Sequence, residues 1–377
     1  MAMPEPPPAS FTPVPRGRGS TLSPDSRYAA WTRIHDAEEA LAAHGIAGAD
    51  CDDGEDGCNP ATVLEIDRAR SVLSYNHSPD IPFDRSINPY RGCEHGCSYC
   101  FARPTHAYLG LSPGLDFETR LSWKPDAARL LRAELARPGY RCAPIALGVN
   151  TDAYQPVERR LGITRQILEV LAATRHPVHV ITKSALIERD VDLLADLARD
   201  GLAQVMFSVT TLDDELARRM EPRAARPARR LAAMARLARA GIPVGVLCAP
   251  LIPALNDHEL ESVLEAAQAH GARTAGYVLL RLPHELRELF ADWLVRHYPG
   301  RARHVLSLIA QTRGGRLNDA RFGHRMRGQG VFADLYRQRL QRACARLGLH
   351  ARAMPVFDTT RFRPPAADAR QLRLFDE

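Results

Sequence analysis

The stretch VHVITKSALIERDVDLLADLARDGLAQVMFSVT, residues 178–210, decides the fold class. Residues 178–182 are a short β-branched run that fits a buried strand. Residues 187–199 carry apolar side chains at helical spacing, and 203–209 return to a strand. Strand, helix and strand on short connections make one βαβ unit, the crossover that parallel strands require. The pattern continues outward. Upstream, 86–90 and 144–149 read as strands and 157–174 as a helix. Downstream come a helix at 227–240, a strand at 242–248, a helix at 257–269 and a strand at 273–280. Strands recur roughly every 30 residues, which predicts an α/β fold with a parallel sheet, long enough to curve into a barrel or part of one.

The flanks differ from this array. Residues 1–60 hold a proline-rich start, the run Arg16-Gly17-Arg18-Gly19 and an acidic stretch at 50–56. Such a composition buries too little apolar area to offset chain entropy, so a largely disordered segment is expected, with one short helix at 31–44. The barrel portion is expected over 61–282. Beyond it, 283–363 reads as a basic, mainly helical extension with helices at 284–297 and 329–347 and, between them, a Gly/Arg-dense segment, 312–330, whose Arg313–Arg316 and Arg321–Arg327 read as flexible and cationic. Residues 364–377 read as a flexible tail.

The chain has 377 residues, 45% hydrophobic and 25% charged, which excludes a collagen, a coiled coil or a wholly disordered chain. It has no apolar run of about 18 residues to span a bilayer, and the start lacks an apolar signal core. The expected location is the cytoplasm. Fifty basic and 44 acidic side chains give +6. Lys124 and Lys183 are the two lysines; every other basic side chain is arginine. From residue 281 onward 19 arginines face 9 acids, a balance of +10, whereas residues 1–280 sum to −4. An acidic partner should meet the C-terminal quarter.

Cys93-Glu-His-Gly-Cys97-Ser-Tyr-Cys100 places three thiols within eight residues, just after the strand at 86–90. Thiols at this density suit zinc or an iron–sulfur cluster. A zinc site would draw a fourth ligand from His95 or His106. Three cysteines alone fit a four-iron cluster with one iron left open for a substrate or cofactor. Cys51 and Cys58 pair with nothing convincing, and Cys142, Cys248 and Cys344 read as buried structural thiols.

The spacing CxxxCxxC, with an aromatic residue before the third cysteine, resembles the radical S-adenosylmethionine (SAM) superfamily. The resemblance implies a partial (β/α)6 barrel, a [4Fe–4S] cluster on Cys93, Cys97 and Cys100, and SAM on the open iron. It also implies an electron donor for the cluster and cleavage of SAM to a 5′-deoxyadenosyl radical. Tyr99 would lie against the adenine. From about Ser86 to Pro253 the chain is similar to the branch that includes spore photoproduct lyase. The similar residues are Asn150-Thr151-Asp152, Thr182-Lys183, Phe207-Ser208-Val209-Thr210, Met220-Glu221-Pro222 and 240–250. The block 68–93 resembles bacterial proteins described as photolyase-like, a group without a settled substrate. These residues sit at strand C-terminal ends, where parallel sheets and barrels expose their sites. The resemblance places Lys183, Ser208 and Thr151 on the methionyl part of SAM. Asp152 and Glu221 are candidates for its polar groups or for hydrogen bonds within the barrel. Two departures matter. The lyase cysteine that returns a hydrogen atom is replaced by Val149, or Asn150 if the alignment slips by one. Phe101 stands where the lyase has a tyrosine.

Gln371-Leu372-Arg373-Leu374-Phe375 resembles the pentapeptide by which bacterial repair and replication proteins dock on the sliding clamp. Leu372, Leu374 and Phe375 suit a hydrophobic groove, and Gln371 supplies an orienting amide. With the basic quarter, these features lead to a radical SAM enzyme acting on DNA, in repair or modification. Action on RNA, a protein or a metabolite is the nearest alternative. A non-catalytic iron–sulfur or zinc protein that binds nucleic acid is the other.

Overall fold

The computed structural model describes residues 17–29, 61–351 and 356–365. Its strands, in chain order, are β1 (Val63–Ile66), β2 (Leu73–Tyr75), β3 (Arg85–Ile87), β4 (Tyr90–Arg91), β5 (Arg120–Trp123), β6 (Ile145–Leu147), β7 (Val178–Thr182), β8 (Ala203–Ser208), β9 (Val244–Leu251) and β10 (Thr274–Leu279). The main sheet runs β10-β9-β8-β7-β6-β3-β2. From β3 to β10 every pairing is parallel; β2 alone is antiparallel. This is the expected α/β array, six parallel strands joined by crossovers. A small sheet, β1-β5-β4, flanks it.

Side chains on a strand alternate between faces, and the register sorts them here. Val178 and Val180 of β7, Val205 and Phe207 of β8, and Val244 and Val246 of β9 all belong to one apolar core. That core is closed by the helices Ile163–Ala173, Val191–Arg199, Pro227–Arg239 and Leu260–Ala269. The alternate residues His179, Gln204, Met206 and Ser208 therefore share the opposite, inner face. At the strands' N-terminal end this face is polar: Gln204 Nε2 donates to Thr274 Oγ1 at 3.2 Å. Burial there pushes the His179 imidazole down to about 4.

The helix expected at 157–174 is two helices, Glu158–Leu161 and Ile163–Ala173. Gly162 separates them with φ 65°, a left-handed conformation that ends one helix and starts the next. In the C-terminal extension the helices Leu286–His297 and Val331–Leu347 stand where expected. Pro299–Gln311 adds one that the pattern did not announce, with proline in its first turn.

Two flanking segments depart from expectation. Residues 17–29 are packed, not loose: Arg18, Gly19, Ser20 and Ser26 are buried. Ser26 Oγ donates to the Ala107 carbonyl at 2.7 Å, and Arg27 pairs with Glu285 at 2.9 Å. The helix expected at 31–44 lies outside the described residues, as do Cys51, Cys58, Gln371, Leu372, Leu374 and Phe375. The Gly/Arg segment 312–330 is ordered too. The Arg313 guanidinium, fully buried, donates to the carbonyls of Leu279, Leu280, His324 and Arg325 at 2.8–3.0 Å. That binds the segment to the end of β10. From there Arg325 Nε reaches Asp80 at 2.5 Å and the Gly323 amide reaches the same carboxylate at 2.6 Å. Asp80 lies between β2 and β3, so these contacts link the two ends of the open sheet.

Candidate active site

All six parallel strands end on the same side, and the candidate residues gather there. β3 leads through β4 into the cysteine loop. Gly92 and Gly96, at φ 77° and 66°, let the loop turn sharply. A Cβ on Gly96 would come within 2.7 Å of Glu118 Oε2. The loop is held from several directions. The Cys93 amide donates to the Phe117 carbonyl at 2.9 Å, and the Ser98 amide to the Met220 carbonyl at 2.9 Å. Gln155 braces the loop's first half, accepting from the Glu94 amide at 2.8 Å and donating to the Gly92 carbonyl at 3.2 Å.

Beneath the loop lies an ion pair with no solvent exposure on either side chain, Arg103 with Glu118. Arg103 Nε donates to the Cys97 carbonyl at 2.9 Å and Nη1 to the Gly114 carbonyl at 2.8 Å. Glu118 in turn accepts the Gly19 amide at 2.9 Å. Gly19 passes so near the loop that a Cβ there would fall 1.6 Å from the Gly96 carbonyl oxygen. The N-terminal segment thus lies across the cysteine loop.

Cys93 and Cys97 are buried and Cys100 is half-buried. Burial pushes the Cys97 thiol up to about 12, and burial with neighbouring Asp152 and the other two thiols pushes Cys93 well above its ordinary value. The three sulfurs therefore feel one another, and a bound cation is the natural means of holding them as thiolates. Each candidate fourth ligand has one ring nitrogen engaged elsewhere. His95 Nδ1 faces Asp152 Oδ2 at 3.4 Å. His106 Nε2 meets the Arg120 carbonyl at 2.9 Å. Among the described residues no group of three or more His, Cys, Asp or Glu side chains is gathered closely enough to hold a single metal ion. Three sulfurs on one buried loop fit a four-iron cluster with an open iron better than tetrahedral zinc.

The other candidates ring this loop. Lys183 follows β7, and its ammonium stands 5.7 Å from the centre of the Tyr99 ring. No hydrogen bond or ion pair holds that ammonium among the described residues. Its charge is felt by Cys97, His95 and Glu221. Asp152, just past β6, accepts from Thr182 Oγ1 at 2.8 Å, the Lys183 amide at 2.7 Å and the Tyr154 amide at 2.8 Å. Thr151 Oγ1 donates to the Tyr90 carbonyl at 3.0 Å. Ser208 closes β8 and is buried.

Glu221 sits in a fully buried network. It receives the Tyr99 hydroxyl, the Arg230 guanidinium and Thr210 Oγ1, the last at 2.6 Å. Burial alone would push this carboxyl up; Arg230 and Lys183 outweigh it and hold the group at about 2. Arg230 also donates to the Ser208 carbonyl at 2.8 Å and the Ala225 carbonyl at 2.7 Å. One guanidinium thus ties the β8 end to the carboxylate that fixes Tyr99. Neither Arg230 nor Arg103 was singled out from sequence, since a buried arginine on a helix or turn looks like any other in an arginine-rich chain.

Val149 and Asn150 follow β6 on the same side as the cysteine loop, both half-buried. Cys142 lies before β6, toward the strands' other end, and burial pushes its thiol up to about 11. Cys248 belongs to the outer apolar core.

Residues 87–267 match the family model of the radical SAM superfamily. The chain carries a radical SAM domain. The cofactors of that superfamily are a [4Fe–4S] cluster and SAM, which agrees with the donor set above. An uncharacterized protein of Mycobacterium tuberculosis is 40% identical over 221 residues, 58% of this chain and 65% of that relative. The match thus spans just under two thirds of that relative's length. An uncharacterized protein of Methanocaldococcus jannaschii is 28% identical over 173 residues, 46% of this chain and 62% of the relative. Among solved structures, a spore photoproduct lyase variant superposes with a TM-score of 0.57 at 16% identity, covering 78% of this chain and 82% of the other. Another variant, with bound AdoMet and dinucleoside spore photoproduct, gives 0.57 at 15% over the same shares. These likenesses show a shared fold for the radical SAM domain and its flanks.

Proposed function

We propose that the protein is a cytoplasmic radical SAM enzyme acting on DNA, in repair or base modification. The observation that carries the enzyme reading is the Lys183 ammonium, which makes no hydrogen bond or ion pair among the described residues and stands 5.7 Å from the centre of the ring of Tyr99, within the loop of Cys93, Cys97 and Cys100. An ammonium is a compact charge suited to a carboxylate, and the SAM methionyl group carries one. When bound, the reduced cluster supplies the electron that cleaves SAM to methionine and a 5′-deoxyadenosyl radical, which takes a hydrogen atom from the substrate.

The chain's own residues bind and orient. Cys93, Cys97 and Cys100 would each hold one iron. Lys183 would receive the SAM carboxylate, with Ser208 and Thr151 lining the same side. Asp152 fixes Lys183 through its backbone amide, and Glu221 fixes the Tyr99 ring through its hydroxyl. Both carboxylates are positioning residues, since their oxygens are already engaged.

The DNA reading rests on four features: the lyase-like fold, a solved relative that holds a dinucleoside, the basic C-terminal quarter and the clamp-like tail. An electron donor for the cluster is a required partner. Anaerobic reconstitution with iron and sulfide, reduction and incubation with SAM should yield 5′-deoxyadenosine, and Cys97→Ala should abolish iron binding and product together. A wild-type protein that binds four irons yet releases no deoxyadenosine ends the enzyme reading. Deuterium transfer from labelled DNA, but not from labelled RNA, into deoxyadenosine is the expected sign of the substrate class.

A further inference from the structure

Just past β10, at the same end as the cysteine loop, Arg281 projects over the exposed ring of Phe101, 5.2 Å from its centre. The hydrogen bond described for its guanidinium goes to the Met326 thioether at 3.5 Å, a weak acceptor. Its Nε is buried with no partner among the described residues. Arg325 stands nearby and is paired with Asp80, and Arg313 lies close enough to feel Arg281. Three guanidiniums thus share one corner with two carboxylates, Asp80, which pairs with Arg325 and bears on Arg281, and Asp319, which bears on Arg313. Burial and Arg325 both pull the Arg281 guanidinium below its ordinary value while Asp80 opposes them, and a bound anion would offset that cost. Two rings frame the corner. Phe101 is 45% exposed and Phe322 is 58% exposed, the latter lying 4.7 Å under Arg325.

We propose that Arg281 is an anion subsite for a backbone phosphate of the substrate strand, with Phe101 and Phe322 as flanking base-stacking platforms. A guanidinium fork fits a phosphate bidentately. Base–aromatic stacking tolerates any base and suits single-stranded or flipped-out nucleotides. Phe101 directly follows Cys100, so a nucleotide anchored here lies beside the site of radical formation. The inference deepens the DNA reading above and rests on it.

The test is fluorescence anisotropy of a labelled single-stranded DNA 12-mer with the full chain, over a salt series. Arg281→Gln should weaken binding about tenfold or more, the equivalent of a charged hydrogen-bonded contact. It should also lower the slope of log affinity against log salt by about 0.7, the value for one phosphate contact on a single strand. Arg281→Lys should keep part of the affinity. Arg301→Gln, an exposed arginine on the helix Pro299–Gln311, should match wild type. Formation of 5′-deoxyadenosine without DNA should be the same for wild type and Arg281→Gln, which separates subsite loss from cofactor loss. Should Arg281→Gln misfold, Arg281→Lys and the paired change Phe101→Ala/Phe322→Ala carry the test, each with reduced affinity. DNA binding by wild type with equal affinity and slope in the Arg281 variants overturns the subsite and leaves the DNA reading standing. A wild-type protein that cleaves SAM but binds no oligonucleotide overturns both.

Discussion

Lys183 and Arg230 show how two cations at one site differ in kind. Lys183 makes no hydrogen bond or ion pair within the described structure, and the Glu221 carboxylate that feels its charge is already engaged by Arg230, Tyr99 and Thr210, so its ammonium is open to a ligand. Lys183→Met should lower SAM affinity of the reconstituted protein about tenfold or more, as for a lost hydrogen bond to a charged group. Iron and sulfide content should stay at the wild-type level. Equilibrium dialysis with labelled SAM checks this, and unchanged affinity would remove Lys183 from the binding site. Arg230 is instead saturated by Glu221 and two carbonyls. Its loss leaves a buried carboxylate unpaired. Arg230→Met should therefore destabilise the fold by about 3–5 kcal/mol in urea unfolding. The double change Arg230→Met/Glu221→Leu should recover much of that loss, because an apolar pair of similar volume replaces the ion pair. A single change as mild as the double would mean that the pair is not buried as described.

At the scale of elements, what could be read beforehand was what repeats. Six parallel strands follow from six apolar runs, because each must be sandwiched between the inner face and a helix. Thr151, Asp152, Lys183 and Ser208 lie at or just beyond strand C-terminal ends: Ser208 closes β8, Lys183 follows β7 directly, and Thr151 and Asp152 stand four and five residues past β6. Residues 17–29 obey no period. Their burial comes from fit: Gly19 has no side chain, so it can touch Gly96 and donate to Glu118. Composition alone reads such a glycine and arginine run as loose chain. The segment 312–330 misled similarly, since the burial of Arg313 depends on four carbonyls that no local pattern shows. The segment 17–29, a strap across the cysteine loop, can be tested directly. Gly19→Ala pushes a methyl into the Gly96 carbonyl, and overpacking of this kind costs about 1–3 kcal/mol. The variant should melt lower and take up less iron on reconstitution than Gly300→Ala, whose added Cβ meets nothing within 4 Å. Equal iron content in the two would mean that the strap does not support the cysteine loop.

For the whole molecule, the uneven charge acquires a direction. The balance of −4 up to residue 280 covers most of the barrel strands, and the +10 beyond it includes the arginines that border the mouth beside β10. Under the proposed DNA reading, a polyanion would thereby be steered to the open end of the barrel, where the cysteine loop lies. The clamp-like peptide at 371–375 would act on a different scale, by raising the local concentration of DNA rather than by contacting the reacting nucleotide. These two contributions are separable. A chain ending at Pro365 keeps the described segment 356–365, whose Arg363 amide donates to the Thr174 carbonyl at 2.8 Å. Its thermal unfolding, iron content and affinity for a short oligonucleotide should match the full chain. Retention on immobilised bacterial sliding clamp should fall about tenfold or more, and Leu374→Ala/Phe375→Ala in the full chain should reproduce the loss, since two buried apolar side chains contribute about 1.5–3 kcal/mol each. Equal retention by all three proteins would assign the tail no docking role. A truncated chain that melts lower would instead identify the tail as packing on its own domain.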